Sequence, residues 1–469
     1  MSLNRPLSFA TNQHRCPASR HTAIVTLLAL VAGAGIGCSR QPIPIQDTHP
    51  VIILDIDTLR ADHLGCYGYH RDTSPNIDAL AAESVRFDWT FSQAPNTPPS
   101  QTSILTSLYP STHGMFGKDD RVPDEVTTLA EAMAAAGYTT AAFVDGGWMS
   151  PHWNIDQGFE LYDSGPNRGL KKIGPKAVRW LRRNSNRNFL LLIHTYDVHS
   201  GYEPPKEFRD LFLDGLEEPT PGFEPTAKKM KALHRRARAG KLYTLPDRDI
   251  EYAKALYDAE IRYVDHWIGS FMQVLDELNL LERATVILLS DHGEEFQEHG
   301  WVLHSQLYTT VSRIPLIIRP PGGTDGRTVS QVVESIDVMP TILEMTGVDL
   351  PETPIHGRSL VGLMAGDSRA TARAFGEFPP FGGTRHQADP DFHIVTHDGP
   401  GTVGLFEYRR DPLERHDLAS ANPEVVSRMR ETLDAWSSAL AAIDQLDDVV
   451  AGELDPEVER QLRALGYLD

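Results

Sequence analysis

Only three cysteines, Cys16, Cys38 and Cys66, occur in the 469 residues. The first two fall in an N-terminal segment with the character of an export signal, so the rest of the chain holds a lone thiol and cannot close an internal disulfide. A folded body outside the cytoplasm must then be stabilised by the size of its core, which this length and an apolar content of 41% provide. Basic residues are also scarce: 44 Lys and Arg against 64 Asp and Glu leave a formal net charge of -20. Binding a phosphate backbone requires clustered cations that displace its counterions, and this balance excludes nucleic acid as a partner. The one conspicuous basic run, from Lys228 through Lys231, His234, Arg235, Arg236 and Arg238 to Lys241, lies in a Pro-rich stretch. It reads first as a solvated helix face and second as an interaction surface. Internal repeats and low-complexity tracts are missing too, as is an apolar run of the about 20 residues that a membrane-spanning helix needs.

The apolar run that does occur, Ala23 to Ile36, follows Arg15, Arg20 and His21 and precedes Gly37-Cys38-Ser39. A basic flank, a short apolar stretch and a small residue before the cut compose a bacterial export signal. Cys38 stands where a lipoprotein signal carries its lipid-modified cysteine, although Gly35 replaces the usual Leu. An ordinary signal peptide with an incidental cysteine is the alternative. The expected organisation is an export signal over 1–38, a tether over 39–50, a main domain over 51–372 with an insertion at about 204–249, and a C-terminal subdomain over 373–469. The expected location is the periplasm or outer membrane, with a lipid anchor as the link to the membrane.

Val51-Ile52-Ile53-Leu54 is a β-branched apolar run that ends at Asp55-Ile56-Asp57, the pattern of a buried central strand delivering carboxylates at its C-terminal end. The design recurs where Phe189 to Ile193 runs into His194, Asp197 and His199, and where Ala284 to Leu289 runs into Ser290, Asp291 and His292. Between these strands, Ile77 to Ser84, Thr128 to Ala136 and Tyr252 to Leu278 repeat apolar residues at helical spacing. Alternation of this kind predicts an α/β fold with a mostly parallel sheet covered on both faces, whose ligands bind at the strand C-termini. After about Arg373 the pattern shortens and becomes more β-like, then ends in a helix from Pro423 to Ala442, which predicts a small α+β subdomain. Asp57 alone reads equally as a helix cap. Joined by Asp291 and His292 from a second strand end, it reads as a metal ligand, with Gly293 permitting a sharp turn beneath the ion. Asp55, two residues earlier on the same strand face, is a weaker candidate ligand.

These segments resemble the sulfatase family of the alkaline phosphatase superfamily. The resemblance runs through nearly all of the chain from Val51 onward: Asp57-Thr58-Leu59-Arg60-Ala61-Asp62-His63-Leu64-Gly65, Ser74-Pro75-Asn76-Ile77-Asp78, Ser107-Leu108-Tyr109-Pro110-Ser111-Thr112-His113-Gly114, Asp197-Val198-His199, Ser290-Asp291-His292-Gly293 and Arg313-Ile314-Pro315. Asp337-Val338-Met339-Pro340-Thr341, Gly357-Arg358-Ser359-Leu360 and Asp411-Pro412-Leu413-Glu414-Arg415 are similar to the family's later landmarks. The resemblance implies an alkaline-phosphatase-like sandwich, with 51–372 as its catalytic domain, and an anionic ester as substrate, an envelope glycan or lipid among the options.

The family's nucleophile precedes a Pro-Ser pair at a helix start, where the helix N-terminus favours an anion. The matching stretch, Asn96-Thr97-Pro98-Pro99-Ser100-Gln101, implies Thr97 as that nucleophile and as a metal ligand, with a helix cap as its alternative role. Sulfatases of this family carry a Cys or Ser there, oxidised to formylglycine, with an Arg four residues on. Thr97 and Gln101 therefore point away from formylglycine chemistry and toward an unmodified hydroxyl acting on a phosphoester. A sulfuric ester hydrolase working without formylglycine, and a catalytically silent envelope ligand-binding protein, are the alternatives. By the same resemblance His199 contacts the ester or protonates the leaving group, His304 binds the anion or acts as acid, and Lys118 meets a non-bridging oxygen. His194, His113 and His299 take supporting places, and the family's sulfate-contacting lysine is missing from Phe143-Val144-Asp145-Gly146-Gly147-Trp148. One divalent metal ion is implied, held by Asp57, Thr97, Asp291 and His292. Thr58 in place of a second adjacent carboxylate shifts the expectation from Ca²⁺ toward Mn²⁺ or Zn²⁺.

Overall fold

Val51–Ile56, the run ending in the Asp55-Ile56-Asp57 triplet, forms strand β1 inside an eight-stranded sheet, with every residue of the strand buried. The structure is a computed structural model, and it describes residues 49–165, 169–241, 243–367, 373–380, 383–442 and 452–465. The expected export signal, Cys38 and the tether as far as residue 48 lie outside the described residues. No helix among the described residues is long and apolar enough to cross a membrane.

The sheet continues with β2 (Val85–Phe91), β3 (Thr139–Asp145), β4 (Leu161–Gly165), β5 (Phe189–Thr195) and β6 (Thr285–Leu289). Two short strands, β7 (Glu295–Phe296) and β8 (Val302–Leu303), form a separate hairpin, after which β9 (Arg313–Arg319) and β10 (Arg327–Glu334) rejoin the large sheet. Its order is β10-β2-β9-β6-β1-β5-β3-β4. β1 runs parallel to β5 and β6, and β9 alone is reversed, pairing antiparallel with β2 and β6. The mostly parallel α/β architecture expected from the strand–helix alternation is the one observed.

Alternation along the central strands builds two cores. Ile52, Leu54, Leu191, Ile193, Val286 and Leu288 face the long helix Asp247–Glu277 and the helix Leu170–Asn184. Val51, Ile53, Leu190, Leu192, Ile287 and Leu289 face the helices Leu129–Ala135 and Val338–Thr346. Each strand is apolar on both faces because helices cover both faces. The only groups left to be polar are at the strand ends.

Beyond the main sheet, β11 (Ala374–Phe378), β12 (Thr384–Ala388), β13 (His393–His397) and β14 (Thr402–Phe406) form an antiparallel meander, followed by the helix Pro423–Ala441. The chain does not end its helices there, as the sequence reading expected. A further helix, Pro456–Ala464, opens on an Asp455 cap and returns to the main body, where Leu462 is buried beside Trp148 and Trp153. It is short and largely polar, anchored by Val458 and Leu462 one turn apart, so its apolar signal was too thin to read. The interval expected as an insertion carries two helices, Lys206–Leu213 and Ala227–Arg238. The second opens where the Thr226 side chain accepts from the Lys229 N–H, and it buries Met230, Leu233 and Ala237.

Candidate metal centre and active-site cavity

Register dictates the site. Asp55 of β1 stands opposite His194 of β5 and Leu289 of β6, so the residues that follow each strand emerge together at one edge of the sheet. The backbone turns immediately after Asp57: Thr58 has φ of 56°, a left-handed conformation that a β-branched residue rarely adopts. The surroundings impose it. The Tyr257 hydroxyl donates to the Thr58 carbonyl at 2.7 Å, and the Leu59 N–H donates to Ser290 Oγ at 2.9 Å.

The turn brings Asp57 together with Asp291 and His292, whose ligand atoms all lie within 4.8 Å of one another, all three residues fully buried. Burial and the neighbouring Asp291 carboxylate push Asp57 well above the usual carboxylate range. Two dehydrated carboxylates side by side require a proton or a cation between them. Asp57 Oδ1 and His292 Nε2 have no hydrogen-bond partner among the described residues. The Nδ1 of His292 lies 3.0 Å from the Gly293 carbonyl, which fixes the proton on Nδ1 and leaves the Nε2 lone pair for a metal. Two carboxylates and an imidazole fit a divalent ion.

Gly293 serves differently from the expectation. Its φ is not in the left-handed region, so no sharp turn depends on it. A side chain there would meet the Thr310 carbonyl oxygen at 2.2 Å, so glycine is required for close backbone packing. Asp55, the weaker candidate ligand, accepts on Oδ2 from Gln101 Nε2 at 2.7 Å.

Thr97 is the first residue of the buried helix Thr97–Thr106, and its Oγ1 donates to Asp57 Oδ2 at 3.0 Å. The hydroxyl therefore points at the metal ligands and does not cap the helix; the cap position belongs to Asn96. Pro98 and Pro99 lack the N–H groups that an uncapped first turn would otherwise strand. Ser100 Oγ approaches Asp291 Oδ2 at 3.4 Å, a contact the sequence reading did not anticipate.

His199 and His304 meet with their Nε2 atoms 3.2 Å apart. His304 Nδ1 is 2.9 Å from the Pro95 carbonyl, so that nitrogen carries the proton and Nε2 accepts. His199 Nδ1 lies 3.3 Å from the Ser200 carbonyl and 3.4 Å from the Ser200 hydroxyl, so its proton is held either at Nδ1 by that carbonyl or at Nε2 by His304. Burial depresses both imidazoles, His199 to about 4 and His304 well below its ordinary value. The pair lies against the metal ligands, the His292 and His304 rings being 4.3 Å apart.

A cavity of about 480 Å³ is lined by Asn96, His199 and His304 and also by Lys118. Lys118 is half-exposed and pairs with Asp119 at 2.5 Å. His194 is buried beside the centre, its Nε2 3.8 Å from Asp57 Oδ2. The other two supporting histidines are not at the centre. His113 accepts the Met115 N–H at 3.1 Å and contacts Ser103, and His299 pairs with Glu295 at 2.5 Å. The insertion's basic run, read first as a solvated face, contributes Lys231, His234 and Arg238 to the cavity wall. Helical spacing of those residues was visible in the sequence, but the side of the molecule they would face was not.

Against known proteins, the family profile described as Sulfatase matches residues 50–348, and one described as N-sulphoglucosamine sulphohydrolase, C-terminal, matches 297–438. An arylsulfatase of Clostridium perfringens is 26% identical over 445 residues, spanning 79% of this chain and 90% of that protein. The phosphonate monoester hydrolase of Agrobacterium radiobacter superposes with a TM-score of 0.69 at 19% identity, covering 84% of this chain and 96% of its own. A protein solved with its substrate D-glucosamine-2-N,6-O-disulfate superposes with a TM-score of 0.70 at 18% identity, covering 85% and 99%.

Proposed function

Because the chain belongs to the sulfatase family of ester hydrolases, we propose that it is a metal-dependent hydrolase or transferase of anionic esters that uses Thr97 as its nucleophile and favours phosphoesters. The observation that carries this reading is the bond from Thr97 Oγ1 to Asp57 Oδ2 beside Asp291 and His292. A bound Mn²⁺ or Zn²⁺, with Ca²⁺ as the alternative, would acidify the hydroxyl and offset charge on the ester.

In this reading Thr97 Oγ1 attacks phosphorus and passes its proton to Asp57 Oδ2. The bond from phosphorus to the leaving oxygen breaks, and that oxygen departs as an anion that takes its proton from solvent, with the neutral His199 imidazole beside it as a hydrogen-bond donor. Water then attacks the phospho-threonine and loses a proton to solvent, and Thr97 recovers its proton from Asp57; an acceptor alcohol in place of water gives transfer. Lys118 supplies a cation for a non-bridging oxygen, and His304 holds His199 in the donating tautomer. The fold accommodates phosphorus centres, as in the phosphonate monoester hydrolase. Sulfate-ester hydrolysis without formylglycine is the second reading, favoured by the arylsulfatase relative.

The deciding experiment compares bis(4-nitrophenyl) phosphate with 4-nitrophenyl sulfate on the purified chain loaded with Mn²⁺, Zn²⁺ or Ca²⁺. Faster, chelator-sensitive phosphodiester cleavage is the expected result. Equal or faster sulfate turnover reverses the preference, and no turnover with no metal retained makes the chain a silent ligand binder. We also infer export and lipid attachment at Cys38, from the basic flank and short apolar run before it. Cys38→Ser should release the protein from the membrane fraction; retention would overturn the anchor.

A further inference from the structure

The helix Pro456–Ala464 lies beyond both family profiles, the later of which ends at residue 438. It reaches the active site nonetheless. Leu465, the residue that follows it, lines the same cavity as His199 and His304. A segment outside the family pattern thus supplies part of that cavity's wall.

The seat of the helix is the loop Gly146-Gly147-Trp148 after β3, the stretch from which the family's lysine is missing. Gly147 has φ of 60° and donates its N–H to Gln461 Oε1 at 2.6 Å. A Cβ on Gly146 would collide with that amide oxygen, and one on Gly147 would stand 2.7 Å from Leu465 Cδ1. Two glycines are what let the helix end approach so closely, and a lysine side chain at either position would push it away. Val458 and Leu462 complete the attachment, buried in one cluster with Trp148 and Trp153. Trp153 Nε1 in turn donates to the Gly147 carbonyl at 2.9 Å, so loop and helix pack as one unit. A helix of nine residues is too short to persist alone in water, so this docking is what orders it and places Leu465.

We propose that the helix sets a size limit on the active site: it closes one side of the cavity, and Leu465 restricts the bulk of the alcohol part of the ester. Relative to the family pattern, the loop has exchanged a cationic contact for a steric one. This rests on the reading of the Thr97 centre as the place of ester cleavage.

The test compares methyl 4-nitrophenyl phosphate with the 4-nitrophenyl ester of thymidine 5′-phosphate, which share a leaving group and differ in the bulk of the other alcohol. The ratio of their kcat/KM values measures the preference for the small ester. Leu465→Ala should lower that ratio about tenfold and Leu465→Trp should raise it by a similar factor, as changes of bulk in an apolar site do. Leu462→Glu buries a charge in the seat, releases the helix, and should lower the ratio at least as far as Leu465→Ala. A parallel titration follows tryptophan fluorescence with methyl phosphate and thymidine 5′-phosphate, and needs no turnover. In Leu465→Ala the nucleotide should gain about tenfold in affinity relative to methyl phosphate. That gain upholds the size limit even if neither ester is cleaved, in which case only the catalytic reading fails. Cleavage with a ratio that stays the same in all three variants overturns the size limit and leaves the catalytic reading intact. No cleavage and no change in relative affinity overturns both.

Discussion

Thr97 Oγ1 donates to Asp57 Oδ2 at 3.0 Å, a bond that joins the start of a buried helix to the C-terminal end of β1. The helix N-terminus supplies partial positive charge where an anionic ester would sit, and the hydroxyl stands between that charge and the metal ligands. Thr97→Ala should lower kcat by at least about a thousandfold, as loss of a covalent nucleophile does. Thr97→Ser keeps an attacking oxygen and should retain a measurable fraction. Stopped assays on phosphodiester substrate decide it, and undiminished turnover by the alanine variant would remove Thr97 from the chemistry.

Asp57 and Asp291 are buried like charges that a divalent ion relieves. Metal should therefore raise the melting temperature and chelation lower it, with saturation at a hundredfold excess over Kd contributing about 2.7 kcal/mol. Asp291→Asn carries a double signature. It should erase the metal-dependent shift and also make the chelated protein more stable than chelated wild type, because one of two repelling carboxylates is gone. A variant that still responds to metal would show that Asp291 is not a ligand.

His113 gives a pH dependence far from the chemistry. Its Nδ1 accepts the Met115 N–H, and burial lowers it from 6.5 to about 3. Above 6.5 both folded and unfolded forms are neutral and the group contributes nothing to pH dependence. Below 6.5 the unfolded chain takes up a proton that the folded chain refuses until about 3, so stability falls by up to about 1.4 kcal/mol per pH unit across that window. His113→Asn should flatten the decline in urea midpoint between pH 6.5 and 4. An unchanged slope would mean that the imidazole protonates in place.

Much of the fold was legible because parallel strands covered on both faces must be apolar throughout, and their polar residues fall at the ends. Asp57, Asp291 and His292 could be placed at strand ends for that reason, and Thr97 at a helix start through the family resemblance of its Pro-Pro-Ser stretch. Three things were not readable. Which way the insertion helix faces depends on the packing of Met230 and Leu233, and no local pattern encodes that. The helix Pro456–Ala464 is held by contacts made across the chain, such as Gln461 Oε1 accepting the Gly147 N–H. The third is Asp55: the strand period places it with Asp57, but its bond to Gln101 comes from a helix elsewhere in the chain, which that period does not encode.

Asp55 and Gln101 form a pair whose failure can be separated from that of the metal centre. Asp55 is buried and held well above the ordinary carboxylate range by burial first and by Asp291 second, with the Gln101 amide opposing the shift. Its Oδ1 has no partner among the described residues, so the Gln101 bond on Oδ2 is the contact that satisfies the group. Gln101→Leu removes that donor from a buried acceptor and should destabilise the fold by about 1–3 kcal/mol. Asp55→Asn keeps an oxygen for Gln101 and loses the repulsion from Asp291, so it should be close to neutral. The double variant should be less destabilised than the sum of its parts predicts, because the groups act as one unit. Metal content by elemental analysis should remain that of wild type in all three. If Asp55→Asn alone empties the metal site, Asp55 is a ligand in the loaded protein and the Gln101 bond is a feature of the metal-free arrangement.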